Sequence, residues 1–133
     1  MNKKKKVLII DDDVGQCHIL DKWLKNDGYT TIMTATGEEG LNTAKEKLPD
    51  CILLDLMLPD VNGIDIAKEL LLDSSTKNIP IVFITITMGV ENDKGDEEIE
   101  VDGAYFRAFA KPLHQRKLLS VVRKEINKKI NNN

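Results

Sequence analysis

The sequence predicts an α/β domain, a doubly wound (βα)5 sandwich in which a five-stranded parallel sheet carries helices on both faces. Short apolar runs alternate along the chain with longer segments whose apolar residues recur every three or four positions. Right-handed crossovers between parallel strands then place helices on both faces of the sheet. The length of 133 residues suits one domain, and 41% hydrophobic with 31% charged residues is ordinary for a folded globular chain.

The five predicted strands are short runs rich in β-branched and aliphatic residues. Two of them, Val7–Ile10 and Cys51–Leu54, are apolar throughout, which is typical of strands covered on both faces. Pro80 marks the start of the fourth. In chain order the predicted strands are Val7–Ile10, Tyr29–Ala35, Cys51–Leu54, Ile81–Ile84 and Tyr105–Ala110.

The first two helices are predicted from apolar stripes and from their end signals. Asp13 has the residue type of an N-cap for a helix over Val14–Asp27, and Gly28 that of its stop. The segment Thr36-Gly-Glu-Glu39 has the form of a capping box, so a second helix begins there and ends before a proline.

The later helices differ in how clearly the sequence marks them. An apolar stripe that starts at Ile64 predicts a third helix. The segment Met88–Gly103, rich in glycine and acidic residues, predicts a short or irregular fourth helix. Pro112 is expected as the first residue of the last helix, where its missing N–H costs nothing.

Charge and composition exclude several classes of protein. The apolar runs are too short to span a bilayer, and no apolar stretch of signal-peptide length follows the basic N-terminus. Cys17 and Cys51 match no metal-ligand spacing and are expected to be reduced thiols of a cytoplasmic protein. The formal net charge of −3 hides a strong segregation, since residues 104–133 carry eight basic side chains and one acidic one. That polarity predicts a protein partner of complementary charge.

Polar residues follow four of the predicted strands where each strand ends. Strand one is followed by Asp11-Asp12-Asp13, strand three by Asp55, strand four by Thr85 and strand five by Lys111. Ligands of open α/β sheets bind outside these carboxyl ends. Clustered carboxylates with no nearby His or Cys favour Mg²⁺, and a lysine beside them can hold an anion. The set predicts a phosphoryl site at which an aspartate is the nucleophile and forms an acyl phosphate.

Four motifs in this order resemble the receiver domain of two-component response regulators, which has a flavodoxin-like fold. The resemblance extends from about Lys6 to Ile130. The motifs are Val-Leu-Ile-Ile-Asp11-Asp12-Asp13, Leu-Leu-Asp55-Leu-Met-Leu-Pro59-Asp-Val-Asn-Gly63, Ile-Thr85 and Ala-Lys111-Pro112.

The resemblance implies a role for each site residue. It makes Asp55 the phospho-acceptor and a ligand of Mg²⁺, with Lys111 pairing the phosphoryl oxygens and Thr85 as the switch hydroxyl. Asp12 would bind Mg²⁺ directly and Asp11 largely through water, while the backbone carbonyl of Met57 would complete the protein ligands. The Lys111–Pro112 peptide bond is expected to be cis.

The resemblance also implies the partners. A sensor histidine kinase or a phosphotransfer protein would donate the phosphoryl group, and phosphorylation would bias a two-state domain. A downstream protein effector would bind the face formed by the fourth helix, fifth strand and fifth helix, through which receivers also form homodimers. No direct nucleic-acid binding and no membrane association are expected. The chain is expected to be one receiver domain over residues 1–133, with a core at about 6–130, tails at both ends and no further output module.

Three departures from the family pattern bear on switching. Ile86 follows Thr85 where the family has a small residue, so altered phosphorylation kinetics are expected. The stretch between Thr85 and Lys111 is a few residues longer than is typical. Ala108 stands three residues before the lysine, where the family has an aromatic switch residue.

Two alternatives stay open at this point. A degenerate receiver would keep the fold as a binding module and lose the phosphorylation switch. A small phosphatase of the haloacid dehalogenase type would use Asp11 as its nucleophile, because Asp11-Asp12-Asp13-Val14 resembles that family's signature. That second reading leaves the Asp55 loop unexplained and lacks the further acidic pair expected after the lysine.

Overall fold

A computed structural model describes residues 3–86 and 97–131 and shows strands and helices in alternation. In chain order the elements are β1 (Lys6–Ile10), α1 (Val14–Asn26), β2 (Thr30–Thr34), α2 (Gly37–Lys47), β3 (Cys51–Asp55), α3 (Gly63–Leu72), β4 (Ile81–Thr85), β5 (Glu97–Val101), β6 (Ala104–Ala110) and α4 (Gln115–Asn131). The predicted fold class is confirmed, and the predicted strands match β1, β2, β3, β4 and β6 to within a residue or two.

The strands form one sheet in the order β2-β1-β3-β4-β6-β5. The first five in this order are mutually parallel, so their carboxyl ends lie along the same edge of the sheet. β1, β3 and β4 occupy the centre and are apolar on both faces, as expected of parallel strands that helices cover.

Alternate side chains of the central strands enter two separate cores. Val7, Ile9 and Leu53 face α1 and α4, and they pack there against Leu20, Leu24, Leu118 and Val122. Leu8, Ile10, Ile52, Leu54 and Phe83 point the opposite way and pack against α2 and α3. Burying an aliphatic side chain of this size contributes roughly 1.5–3 kcal/mol, so the two cores fix the register of every central strand.

The predicted end signals of the first two helices are confirmed. The Asp13 carboxylate accepts a hydrogen bond from the Gln16 N–H at 3.1 Å, and Gly28 has a φ of 95° just after the helix. The Thr36 hydroxyl accepts from the Glu39 N–H at 3.1 Å and caps α2.

The prediction for the last helix is wrong at its start. α4 begins at Gln115, three residues after Pro112, so the proline precedes the helix and is not its first residue. The Lys111–Pro112 peptide bond is cis, as expected. Pro112 therefore belongs to the turn that leads from β6 into the helix.

The largest difference from the prediction is the antiparallel strand β5. The helix predicted over Met88–Gly103 is wrong for Glu97–Val101, which pair with β6 and add a sixth strand to the described sheet. Asp102 and Gly103, with φ values of 50° and 88°, form the two-residue turn of this hairpin. Asp-Gly between two runs with apolar residues is a hairpin signal that the sequence already contained. The remainder of that prediction, residues 88–96, lies outside the described residues.

Candidate functional site

The predicted site residues meet at the carboxyl edge of the sheet. Asp11 follows β1, Asp55 ends β3, Thr85 ends β4 and Lys111 follows β6. Because these four strands are neighbours in the sheet, residues far apart in the sequence come together. The fold thus brings the predicted residues to one place.

Lys111 lies between two buried carboxylates. Its Nζ is 3.0 Å from Asp11 Oδ2 and donates a hydrogen bond to Asp55 Oδ2 at 3.1 Å. Asp11 and Asp55 are 1% and 3% exposed, so both ion pairs are shielded from water. An ion pair at such depth is far less screened than a surface pair, although burying the charges is itself costly.

Backbone N–H groups orient the two buried carboxylates. Asp11 Oδ1 accepts a hydrogen bond from the Asp13 N–H at 3.0 Å, and Asp55 Oδ1 accepts one from the Met57 N–H at 2.9 Å. Each donor lies two residues after the aspartate, in the loop that leaves its strand. Main-chain donors of these two loops therefore help to hold both carboxylates in place.

Burial and charge shift the acid–base behaviour of this site. Burial raises the pKa of Asp11 above its ordinary value, although the Asp13 N–H opposes the shift. Burial alone would lower the pKa of Lys111, but its ion pairs with Asp11 and Asp55 outweigh that effect and raise the pKa. Lys111 therefore stays a cation at neutral pH.

The carboxylates have the arrangement of a cation site. Oxygens of Asp11, Asp12 and Asp55 lie within 4.8 Å of one another. Asp11 Oδ2 is buried and accepts no hydrogen bond within the described part of the chain, so its contact with Lys111 is an ion pair without hydrogen-bond geometry. Asp12 is exposed and open to a ligand from solvent. A set of oxygen donors with one unsatisfied buried oxygen fits Mg²⁺ better than Zn²⁺.

Thr85 lies at the end of β4 with its side chain buried. Its carbonyl oxygen accepts a hydrogen bond from the Lys111 N–H at 2.7 Å, which joins the ends of β4 and β6 beside the site. The next residue, Ile86, is 65% exposed. Its side chain therefore lies at the rim of the site and does not fill it.

Gly63 is a site residue whose role the sequence did not reveal. A Cβ at this position would lie 2.3 Å from the Asp55 carbonyl oxygen and 2.9 Å from the Leu56 Cα. Only glycine lets the start of α3 approach the main chain at the end of β3 so closely. The sequence signal for this close approach was a glycine just before the predicted third helix. A turn before the helix accounts for a glycine at that position equally well.

Ala108 is fully buried in β6, paired with Phe83 of β4. Alanine carries no aromatic ring, so the side chain that would change rotamer in the family's usual switch is missing at this position. Phe106, two residues earlier, instead packs edge-on against Phe83 with ring centroids 5.8 Å apart.

Cys17 is a buried residue of α1 next to Asp11. Its thiol donates a hydrogen bond to the Asp11 carbonyl oxygen at 3.2 Å. Burial, with the nearby aspartates, raises the pKa of Cys17 to about 11, and burial raises that of Cys51 to about 12. Both thiols are protonated at neutral pH and act as small apolar core residues.

Comparison with protein families gives one match that spans most of the chain. The model of the response regulator receiver domain matches residues 7–123. None of the helices in the described residues is long and apolar enough to cross a membrane.

Individual relatives agree with that match. The polar-differentiation response regulator DivK of Brucella ovis is 31% identical over 119 residues, which cover 90% of this chain and 94% of DivK. The DNA-binding response regulator MtrA of Mycobacterium tuberculosis H37Rv is 32% identical over 120 residues, covering 90% of this chain. The chain spans about half the length of MtrA (50%).

Solved structures show the same fold. The receiver domain of the sensor histidine kinase PA1611 from Pseudomonas aeruginosa PAO1, determined with a magnesium ion in its active-site cleft, superposes with a TM-score of 0.80. It is 20% identical in sequence, and the match covers 94% of this chain and 99% of that one.

Proposed function

The chain belongs to the response regulator receiver family, and on that basis we propose that it accepts a phosphoryl group on Asp55 from a phosphohistidine. The donor is a sensor histidine kinase or a phosphotransfer protein. The observation that carries the proposal is the buried Asp55 carboxylate held 3.1 Å from the Lys111 ammonium at the carboxyl edge of the sheet. The haloacid dehalogenase alternative would use Lys111 beside Asp11 but leaves the buried Asp55 carboxylate without a role.

The proposed reaction moves the phosphoryl group from nitrogen to oxygen. An Asp55 carboxylate oxygen attacks the phosphorus, the P–N bond breaks, and its electron pair stays on the histidine ring of the donor. The product is an acyl phosphate on Asp55. Lys111 stabilises the negative charge on the phosphoryl oxygens during transfer, because its ammonium is fixed and does not need to reorganise.

The metal ligands form the second part of the proposal. Asp11, Asp12 and Asp55 would hold Mg²⁺ together with the main-chain carbonyl of Met57. When bound, Mg²⁺ would supply positive charge that neutralises the phosphoryl oxygens and the clustered carboxylates. Support comes from the close carboxylate oxygens and from the two buried carboxylates that share a single ammonium.

A protein donor would reach Asp55 across a rim of exposed apolar side chains. Val14, Met57 and Ile86 come from three neighbouring strand ends, and each is about two-thirds exposed. Because Asp55 itself is buried, the donor would touch this rim whenever its phosphohistidine is in reach. A cytoplasmic location is part of the same proposal, since the protein and its phosphohistidine donor must meet there.

The output surface is proposed at the far edge of the sheet. After transfer, Thr85 would donate a hydrogen bond to the phosphoryl group and move the end of β4. The expected face included a fourth helix, but in the described residues strand β5 lies next to β6 at this border of the sheet. Tyr105, 66% exposed, stands on this hairpin near exposed Glu98 and Glu100, and α4 is basic. We propose this face as the binding surface for a protein effector or a second copy.

Phosphoryl uptake from a small-molecule donor tests the function directly. Wild type, Asp55→Asn and Asp11→Asn are incubated with acetyl phosphate and Mg²⁺, and intact masses are measured. Wild type is expected to gain one phosphoryl group and Asp55→Asn none. Uptake that persists in Asp55→Asn and is lost in Asp11→Asn would point to the phosphatase alternative. No uptake by any of the three would favour the degenerate receiver.

A further inference from the structure

The loop after the acceptor strand is fastened to a neighbouring helix by one exposed carboxylate. Asp60 Oδ1 accepts a hydrogen bond from the Gly37 N–H at 2.8 Å, and Asp60 Oδ2 accepts one from the Glu38 N–H at 3.0 Å. Both donors belong to the first turn of α2, where N–H groups have no partner within the helix. A carboxylate at a helix N-terminus also gains from the helix dipole.

This contact does not serve only to cap the helix. The Thr36 hydroxyl already caps α2 through the Glu39 N–H, in the usual local way. Asp60 adds two hydrogen bonds from a loop more than twenty residues later in the sequence. It therefore ties two parts of the protein together at a place where the helix has its own cap.

Packing brings the loop tightly against the same helix turn. A Cβ at Gly37 would lie 2.2 Å from Val61 Cγ1, so the Val61 side chain occupies the space beside that glycine. A residue larger than glycine at position 37 would therefore require the Val61 side chain to move. The hydrogen bonds that Asp60 accepts and the packing of Val61 thus act on the same turn of α2.

The other end of the loop is fixed at the proposed metal site. Met57 donates its N–H to Asp55 Oδ1 at 2.9 Å and forms a β-bridge with Asn62. The Gly63 N–H donates to the Leu56 carbonyl at 2.8 Å and closes the loop. Residues 56–63 therefore form a short closed loop, with Asp60 as its hydrogen-bonded attachment to α2.

We propose that Asp60 is a positioning residue for the metal site, because it holds the closed loop that carries Met57 against α2. The inference rests on the proposed function, in which the Met57 main chain is a ligand of Mg²⁺. Asp60 does not touch the metal or the phosphoryl group. Without it the loop would lose its attachment to α2, so the hydrogen bonds that close the loop would open more often and the Met57 carbonyl would sample more orientations.

Magnesium affinity and amide exchange in the full chain test this inference. Isothermal titration with MgCl2 is expected to give a dissociation constant about fivefold higher for Asp60→Ala, less than the 10–100-fold typical of groups that contact a metal ligand directly. Asp60→Asn keeps one acceptor oxygen, so its dissociation constant for Mg²⁺ is expected to lie between those of wild type and Asp60→Ala. Without metal, the Met57 and Gly63 amides are expected to exchange faster with solvent in Asp60→Ala.

Glu38→Gln is the matched control. It removes one negative charge from the same turn but keeps the Glu38 N–H, so it measures the effect of charge alone. If Glu38→Gln weakens magnesium binding as much as Asp60→Ala, charge explains the result and positioning is overturned. A lower melting temperature of Asp60→Ala with unchanged magnesium affinity would also overturn it, since Asp60 would then only stabilise the fold. Failure of the wild type to bind Mg²⁺ would overturn the proposed function as well.

Discussion

At the scale of single residues, two buried carboxylates compete for one ammonium. Lys111 is 3.0 Å from Asp11 and 3.1 Å from Asp55, so a single positive charge faces two carboxylates. The deficit of positive charge is what makes the site suited to a divalent cation. It also means that the protein without metal carries an electrostatic cost at this place.

Removing one carboxylate is expected to stabilise the metal-free protein. Because burial raises the pKa of Asp11 in the folded state, its contribution to stability is present below the unfolded pKa of 3.8 and is lost as pH rises through the folded pKa. Asp11→Asn does not titrate, so its advantage over wild type is expected to grow from acidic to neutral pH. The gain at pH 7 is on the order of 1 kcal/mol. Denaturant unfolding in EDTA measures it, and a less stable variant at pH 7 would contradict the expectation.

A second residue-scale prediction concerns the rim of the site. Ile86→Ala is expected to raise the rate of phosphoryl uptake from acetyl phosphate by about threefold, or about 0.65 kcal/mol of barrier, because a branched side chain no longer crowds the approach. Leu72→Ala is the control, because Leu72 is also an exposed aliphatic residue and lies on the last turn of α3. Intact-mass time courses measure both. Equal rates for Ile86→Ala and wild type would rule out crowding by Ile86.

At the scale of elements, the position of Asp55 depends on how closely the start of α3 approaches the end of β3. Gly63 has no room for a Cβ, since the Asp55 carbonyl would lie 2.3 Å from it. The atom in the way is main chain and cannot rotate aside. The position of the Asp55 side chain is thus coupled to the position of the first turn of α3.

Gly63→Ala is expected to destabilise the fold by about 2 kcal/mol, because backbone must shift to admit the methyl group. The shift also displaces Asp55, so phosphoryl uptake is expected to slow. Gly15→Ala is the matched control: it lies on an exposed part of α1, where the new Cβ meets only Asp13 Oδ1 at 3.5 Å. That variant is expected to gain about 0.8 kcal/mol from helix propensity. Thermal unfolding of both variants measures the contrast, and equal effects would contradict this account.

The hairpin of β5 and β6 depends on its two-residue turn. Both turn residues have positive φ, which favours glycine at position 103 and Asn, Asp or Gly at position 102. Gly103→Ala has open space for its methyl group but adopts a strained φ of 88°, so a loss of about 1 kcal/mol is expected. Asp102→Asn keeps a residue tolerated at positive φ and is expected to be neutral. Hydrogen exchange of the β5 amides measures the effect, and unchanged protection in Gly103→Ala would argue against strain in the turn.

At the scale of the whole molecule, the charges are separated along the chain and across the fold. The acidic site is at the carboxyl edge of the parallel strands, acidic β5 lies at one border of the sheet, and basic α4 packs on one face of the central strands. Such segregation steers an approaching partner and fixes its orientation more than it adds affinity.

Magnesium binding is expected to stabilise the whole domain. A ligand that binds only the folded state at ten times its dissociation constant adds about 1.4 kcal/mol, or about 5 °C in melting temperature for a domain of this size. With MgCl2, Asp12→Asn is expected to lose most of this gain. In EDTA the variant and the wild type are expected to melt at the same temperature, because Asp12 is exposed. Thermal melts with and without MgCl2 measure it. An identical magnesium response in Asp12→Asn would remove that residue from the ligand set.

The sequence by itself determined the parallel strands, most helix ends and the convergence of the site. These follow from local patterns and from one rule, that polar residues at the carboxyl ends of neighbouring parallel strands meet. Asp11, Asp55 and Lys111 were predicted together for that reason, although 56 residues separate Asp55 from Lys111. The roles assigned to the individual ligands stay predictions, as does the extent of the domain.

Only the tertiary structure decided the features that depend on pairing. Glutamates are depleted in strands, so Glu97–Val101 resembled an irregular helix, and pairing with β6 made it a strand. The contact of Asp60 with Gly37 and the closeness of Gly63 to Asp55 leave no periodic pattern in the sequence. Contacts of this kind depend on where two loops meet in space, and that is set by the packing of the whole sheet and its helices.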